Sequence, residues 1–218
     1  MTDEMTPEAA AEVASNIDRV LATSRLADLV QAYFQPDGPF AASTFDDLEP
    51  GPPNLITVAD LLAVSFLDVA IRPLAVREIL DADASHVSEL LSAIPGATPI
   101  WDASDADLEA ATNAWEHFRS YHGIDWVIAG KLLARKRPQL VPIIDSVVVE
   151  ALRAPRGHTW NALRTALQDD ARRDRIASLR PSWLSSDVSI LRLLDVAIWM
   201  LGSRSTNARR AREEGGIQ

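Results

Sequence analysis

The segment Gly123-Ile-Asp-Trp-Val-Ile-Ala-Gly-Lys-Leu-Leu-Ala-Arg-Lys-Arg-Pro-Gln-Leu-Val-Pro-Ile-Ile-Asp145 constrains this chain more than any other. Gly123, Ile124 and Asp125 read as a tight turn. A helix follows over about 125–136, carrying Lys131, Arg135, Lys136 and Arg137 toward its end. Pro138 stops it, because proline offers no amide donor and clashes with the preceding turn. The apolar run Leu140 to Ile144 leads to Asp145, a preferred cap for a helix running to about Leu152. Asp145 is the sole ionisable residue between Arg137 and Glu150.

Helical spacing dominates the rest of the chain. Residues 7–34 read as one helix, with Thr6 as cap and Pro7 at the permitted first position. Residues 35–54, rich in Pro, Gly and Asp, read as a loop. Thr57 caps an apolar helix over about 58–70. Helices follow over 73–80, 85–94 and 105–121, then 160–167 and 188–201 after the segment above. Val147 to Val149 is the sole β-like run, and it falls inside a helix. These readings predict an all-α fold of about ten helices, with two lobes and a central cleft lined by residues 119–145. Residues 1–202 are expected as one domain. The polar tail 203–218 lacks apolar spacing and is expected to be disordered.

Charge is uneven along the chain. The net charge is −10, which argues against a polyanionic partner. Residues 1–118 hold 21 acids and 4 bases, whereas residues 119–218 hold 10 acids and 17 bases. An acidic lobe over about 1–118 suits a protein partner. A basic lobe over about 119–202 suits DNA. There is no Cys, which excludes disulfides, thiolate zinc sites, iron–sulfur clusters and Cys nucleophiles. No cofactor and no metal are expected; the spacing of His117, His122 and His158 suits no compact zinc motif. No apolar run approaches the length of a membrane span and no signal peptide is visible, so a cytoplasmic protein is expected.

Gly123-Ile124-Asp125 followed by Ala129 resembles the hairpin of the helix-hairpin-helix DNA glycosylases, the endonuclease III-like superfamily. In that superfamily an apolar run about twenty residues on leads to a catalytic Asp opening a helix. Pro142-Ile143-Ile144-Asp145-Ser146 matches this element in order and spacing, and Leu194 to Gly202 is similar to the last core helix. The resemblance implies a DNA-binding N-glycosylase with Asp145 as the catalytic carboxylate. Gly123, Ile124, Asp125, Lys131, Arg135, Lys136 and Arg137 would be its DNA-binding residues. Val127 stands where lyase-type members carry Lys, which implies a monofunctional enzyme. Asp125 replaces the second glycine of the hairpin. The chain as a whole also resembles an uncharacterised bacterial domain family, which implies no function.

The residues support alternatives that stay open at this point. Backbone N–H groups at a helix start attract phosphate, but Asp125 can occupy them as a cap. The four cations can grip a backbone or form a solvated face. Trp126 can stack on a base in the cleft or pack in the interior. Asp145 can stabilise oxocarbenium character on a sugar or serve as a cap alone. Asp195, inside the last helix, is expected to pair with a buried Arg. The competing function is a scaffold without chemistry that binds a protein or small ligand.

Overall fold

Capping side chains mark most helix starts. Thr6, Thr57, Ser104, Asp125, Asp145, Asp169, Ser189 and Ser205 each accept a hydrogen bond from a backbone N–H two or three residues on. They satisfy donors that a helix cannot satisfy internally. The structure, a computed structural model, describes residues 6–155 and 157–217. Among these residues it is all-α, with thirteen α-helices and no strand.

The chain divides into two units that are each discontinuous in sequence. The first comprises the chain up to Phe40, Ile100–Asp102 and everything from Ile144. It contains α1 (Pro7–Leu21), α2 (Leu26–Phe34), α9 (Ser146–Leu152), α10 (Thr159–Ala166), α11 (Asp170–Ala177), α12 (Ile190–Gly202) and α13 (Thr206–Glu214). Helix α12 is its hub, buried from Leu191 through Ile198 and packed on α2, α9, α11 and α13. Gly202 lets α9 approach, since a Cβ there would lie 2.7 Å from Val147 Cγ1. Helix α1 packs on α9 and α10 with Val13 and Ile17 buried, and its buried Asn16 donates to Leu152 O at 2.8 Å.

The second unit comprises Ala41–Pro99 and Ala103–Ile143. It contains α3 (Thr44–Asp47), α4 (Val58–Ser65), α5 (Pro73–Arg77), α6 (Ala84–Ser92), α7 (Asp105–Ser120) and α8 (Trp126–Lys136). Helices α7 and α8 pair across the turn at Gly123, and α8 also packs on α4. The two units do not coincide with the acidic and basic halves of the sequence, because α1 and α2 bury their apolar faces against helices from the C-terminal third.

Three expectations are corrected. The helix over 7–34 is broken at Arg25, whose φ of 61° is left-handed and cannot continue a helix. The helix over 73–80 leaves α-geometry at Glu78, where Glu78–Ala82 form a π-turn. The tail is ordered over α13, because Ser205 caps it and Ala208 is fully buried. Asn207 donates to Pro39 O at 2.9 Å, and Arg212 donates to Ser203 O at 2.9 Å and to Met200 O at 2.5 Å. Backbone carbonyls thus anchor a segment with almost no apolar surface. Gln218, the end of the expected disordered stretch, lies outside the described residues.

Candidate functional site

The hairpin forms as a left-handed turn. Gly123 has φ 85°, and a Cβ at this position would sit 2.4 Å from Arg72 Cδ. Ile124 N donates to Tyr121 O at 3.1 Å. Asp125 Oδ1 then accepts from Val127 N and Ile128 N, both at 2.9 Å. The donors that would meet a phosphate at the start of α8 are therefore filled by the chain's own carboxylate. Trp126 is exposed, and its carbonyl accepts from Trp115 Nε1 at 3.0 Å. Arg119 stacks over the Trp115 ring, 4.5 Å from its centroid.

The cations of α8 point inward. Lys131, Arg135, Lys136 and Arg137 are all buried, none more than 7% exposed. This corrects the expectation of an outward phosphate-gripping face. The reason is a set of acceptors distant in sequence. Lys131 Nζ donates to Leu67 O at 2.7 Å. Arg135 donates to Asp60 Oδ1, Phe45 O and Leu48 O. Lys136 Nζ lies 2.5 Å from Asp60 Oδ2 and donates to Pro52 O. Arg137 donates to Ile94 O, Pro53 O, Lys136 O, Asn54 Oδ1 and Leu91 O. Asp60, fully buried, is the carboxylate that Arg135 and Lys136 share. Burial holds Lys136 and Arg137 below their ordinary pKa values. The three terminal cations work as a clasp on segment 45–54, donating to the carbonyls of Phe45, Leu48, Pro52 and Pro53.

Turning these cations inward leaves the outer surface of this unit acidic. Thirteen of its carboxylates lie outside the interior, against the guanidinium groups of Arg72, Arg77 and Arg119 alone. The same surface carries exposed Leu55, Val58, Leu62, Leu74 and Trp126.

Asp145 belongs to the other unit. It is partly buried and caps α9, with Oδ1 accepting from Val148 N at 3.0 Å. The run before it, Leu140 to Ile144, is buried as expected. Asp195 also pairs as expected: Arg192 Nη1 lies 2.6 Å from Asp195 Oδ2, and Arg192 Nη2 donates to Tyr33 OH at 2.8 Å.

A further polar cluster was not singled out in the sequence. Tyr121 OH donates to Asp83 Oδ2 at 2.5 Å, and His117 Nε2 lies 2.6 Å from the same oxygen. A carboxylate only accepts, so His117 carries its proton on Nε2. His86 packs edge-on against His117, with ring centroids 4.6 Å apart. Asp83 follows the π-turn directly, and such turns often mark functional positions. The i, i+4 spacing of His117 on α7 and Tyr121 at its C-cap was the available signal; the partner of His117, 34 residues away, was not visible. Among the described residues, no three His, Asp or Glu side chains converge to hold a metal ion. No helix among them is long and apolar enough to cross a membrane.

The cluster sets a pH response. The Tyr121 hydrogen bond, aided by His117, holds Asp83 below the usual carboxylate range. Burial, then Asp83, pushes the Tyr121 phenol far above its ordinary value. A depressed carboxylate stabilises the fold above its unfolded pKa near 3.8, and this contribution is lost as pH falls through the folded value. A raised phenol stabilises the fold below pH 10, and this is lost as pH climbs beyond it. Tyr121→Phe should flatten both limbs of a plot of urea midpoint against pH. An unchanged profile would show that the two groups do not interact in solution.

No curated protein and no solved structure matches the chain. A family model described as "Family of unknown function (DUF6308)" matches residues 26–202, from α2 through α12. That match spans both units and well over half of the sequence, so the chain belongs to the DUF6308 family.

Proposed function

We propose that this chain is a protein-binding module, and that residues 41–99 and 103–143 dock a partner through their acidic outer surface. The observation that carries this reading is the inward direction of the α8 cations. Cations committed to Asp60 and to backbone carbonyls cannot release counterions from DNA, which supplies most non-specific affinity. The carboxylates left outside repel a phosphate backbone and attract a basic protein surface. Asp125 adds to this, since it occupies the hairpin donors.

Base excision through Asp145 is the competing reading. On its side stands the partial exposure of Asp145 behind a buried apolar run. Titration of labelled duplex and damaged-base oligonucleotides at several salt concentrations separates the two. The protein-binding reading expects no binding whose affinity falls with salt. Four phosphate contacts would instead give a slope of log K against log salt of about −3.6, and that result would overturn it. Base release by the wild type that Asp145→Asn abolishes would establish the excision reading; equal product from both proteins would remove Asp145 from catalysis.

A further inference from the structure

We infer that the outer face of α4 is the docking surface itself, and that it takes a cationic amphipathic helix of a partner protein. This inference rests on the protein-binding reading and names its site. Helix α4 is apolar on both sides. Its inner side buries Asp60, Leu61, Ala63 and Val64. Its outer side presents Val58 at 68% and Leu62 at 50% exposure, one helical turn apart, with Leu55 at 40% just before the helix. Pro52 and Pro53 continue the exposed apolar strip. Large aliphatic side chains this exposed lose water favourably against any matching apolar face.

The rim selects the partner. Asp47 and Glu49 are exposed on the segment that packs beside α4, and Asp68 is exposed beyond its C-terminal end. No exposed Lys or Arg lies between Ala41 and Ile71. An exposed apolar strip whose flanking segments carry exposed carboxylates and no Lys or Arg fits a helix with Leu-type anchors at i, i+3, i+4 and i+7 and Lys or Arg on its flanks. Nucleic acid fits neither the strip nor the rim.

The platform is held in advance of binding. Arg135 joins Asp60 of α4 to the carbonyls of Phe45 and Leu48, which bracket Asp47. Lys136 and Arg137 fix the carbonyls of Pro52 and Pro53. Anchoring the rim and the strip to one buried cluster removes ordering cost from association. The buried cations of α8 thus shape the surface that their own charges never reach.

The test uses the full chain and a fluorescent peptide of about 18 residues, a helix of about five turns, with Leu at the anchor spacing and Lys elsewhere. A scrambled peptide of the same composition serves as control. The expected result is binding of the amphipathic peptide at least about tenfold tighter than the scramble. Val58→Gln/Leu62→Gln should erase that margin with the urea midpoint little changed, because both side chains are at least half exposed. Asp47→Asn/Glu49→Gln should flatten the salt dependence while keeping the preference over the scramble. Equal binding of the two peptides, no binding of either, or full binding by the Val58/Leu62 variant would overturn the α4 site. So would a wild-type dimer that the same variant dissociates, since a second copy would then be the occupant. None of these outcomes touches the wider reading, which the DNA titration decides separately.

Discussion

Asp60→Ala is expected to lower the free energy of unfolding by about 3–5 kcal/mol, the usual cost of stranding a buried charge. Asp60 is fully buried, 3.2 Å from Arg135 Nε and 2.5 Å from Lys136 Nζ. Its removal leaves two buried like charges side by side. The guanidinium cannot shed its proton, but Lys136 can. Burial already holds the Lys136 pKa below the ordinary 10.5 of a lysine, and Asp60 is what pulls it back up. Losing Asp60 lowers it further. A base whose folded pKa is depressed makes the fold more stable as pH rises toward its unfolded value. The deficit of Asp60→Ala, measured by urea unfolding, should therefore be smaller at about pH 9.5 than at about pH 7. A deficit below about 1 kcal/mol at neutral pH would mean that the cluster is hydrated and behaves like a surface ion pair.

That cluster also separates what was legible in the sequence from what was not. Helix ends written in local chemistry were readable. Ser104 and Asp107 form a capping box at the start of α7, Pro138 follows the end of α8, and Asp145 caps α9. The all-α class followed from apolar spacing alone. The direction of the α8 cations was not readable. Ile128, Ala129, Leu132 and Leu133 form an apolar face that suggests the opposite face is solvated. In the fold both faces are buried, because segment 45–54 and the carbonyls of Leu67, Leu91 and Ile94 supply acceptors 43 to 90 residues away. Arg25 escaped for a different reason. A left-handed residue that is not glycine carries no local mark, so α1 and α2 read as one helix. The candidate site inverted along with α8. The clustered cations suggested a phosphate-facing surface; with them buried, carboxylates predominate on the outside of this unit.

In the other unit, Asp195→Ala is expected to cost a similar amount, about 3–5 kcal/mol. Asp195 and Arg192 are 5% and 6% exposed on the hub helix α12, and the carboxylate sits 2.6 Å from Nη1. Without it, Arg192 loses this close ion pair, and its bond to the uncharged Tyr33 hydroxyl is a weaker substitute for a carboxylate. Removing both charges tests whether the loss comes from the stranded cation. Arg192→Met/Asp195→Leu retains apolar volume, and such replacements of buried pairs are often neutral or stabilising. The double variant should therefore be more stable than Asp195→Ala by at least about 2 kcal/mol. If the double variant is as unstable as the single one, the Arg192 head group contributes through contacts other than the ion pair, and Tyr33→Phe would then be expected to reproduce part of the loss. The outcome bears on more than stability. Asp60 and Asp195 anchor separate units, so unfolding followed by Trp fluorescence and by far-UV circular dichroism should reveal whether each change melts one unit or both. Coincident transitions for both variants would mean that the units fold as one cooperative body.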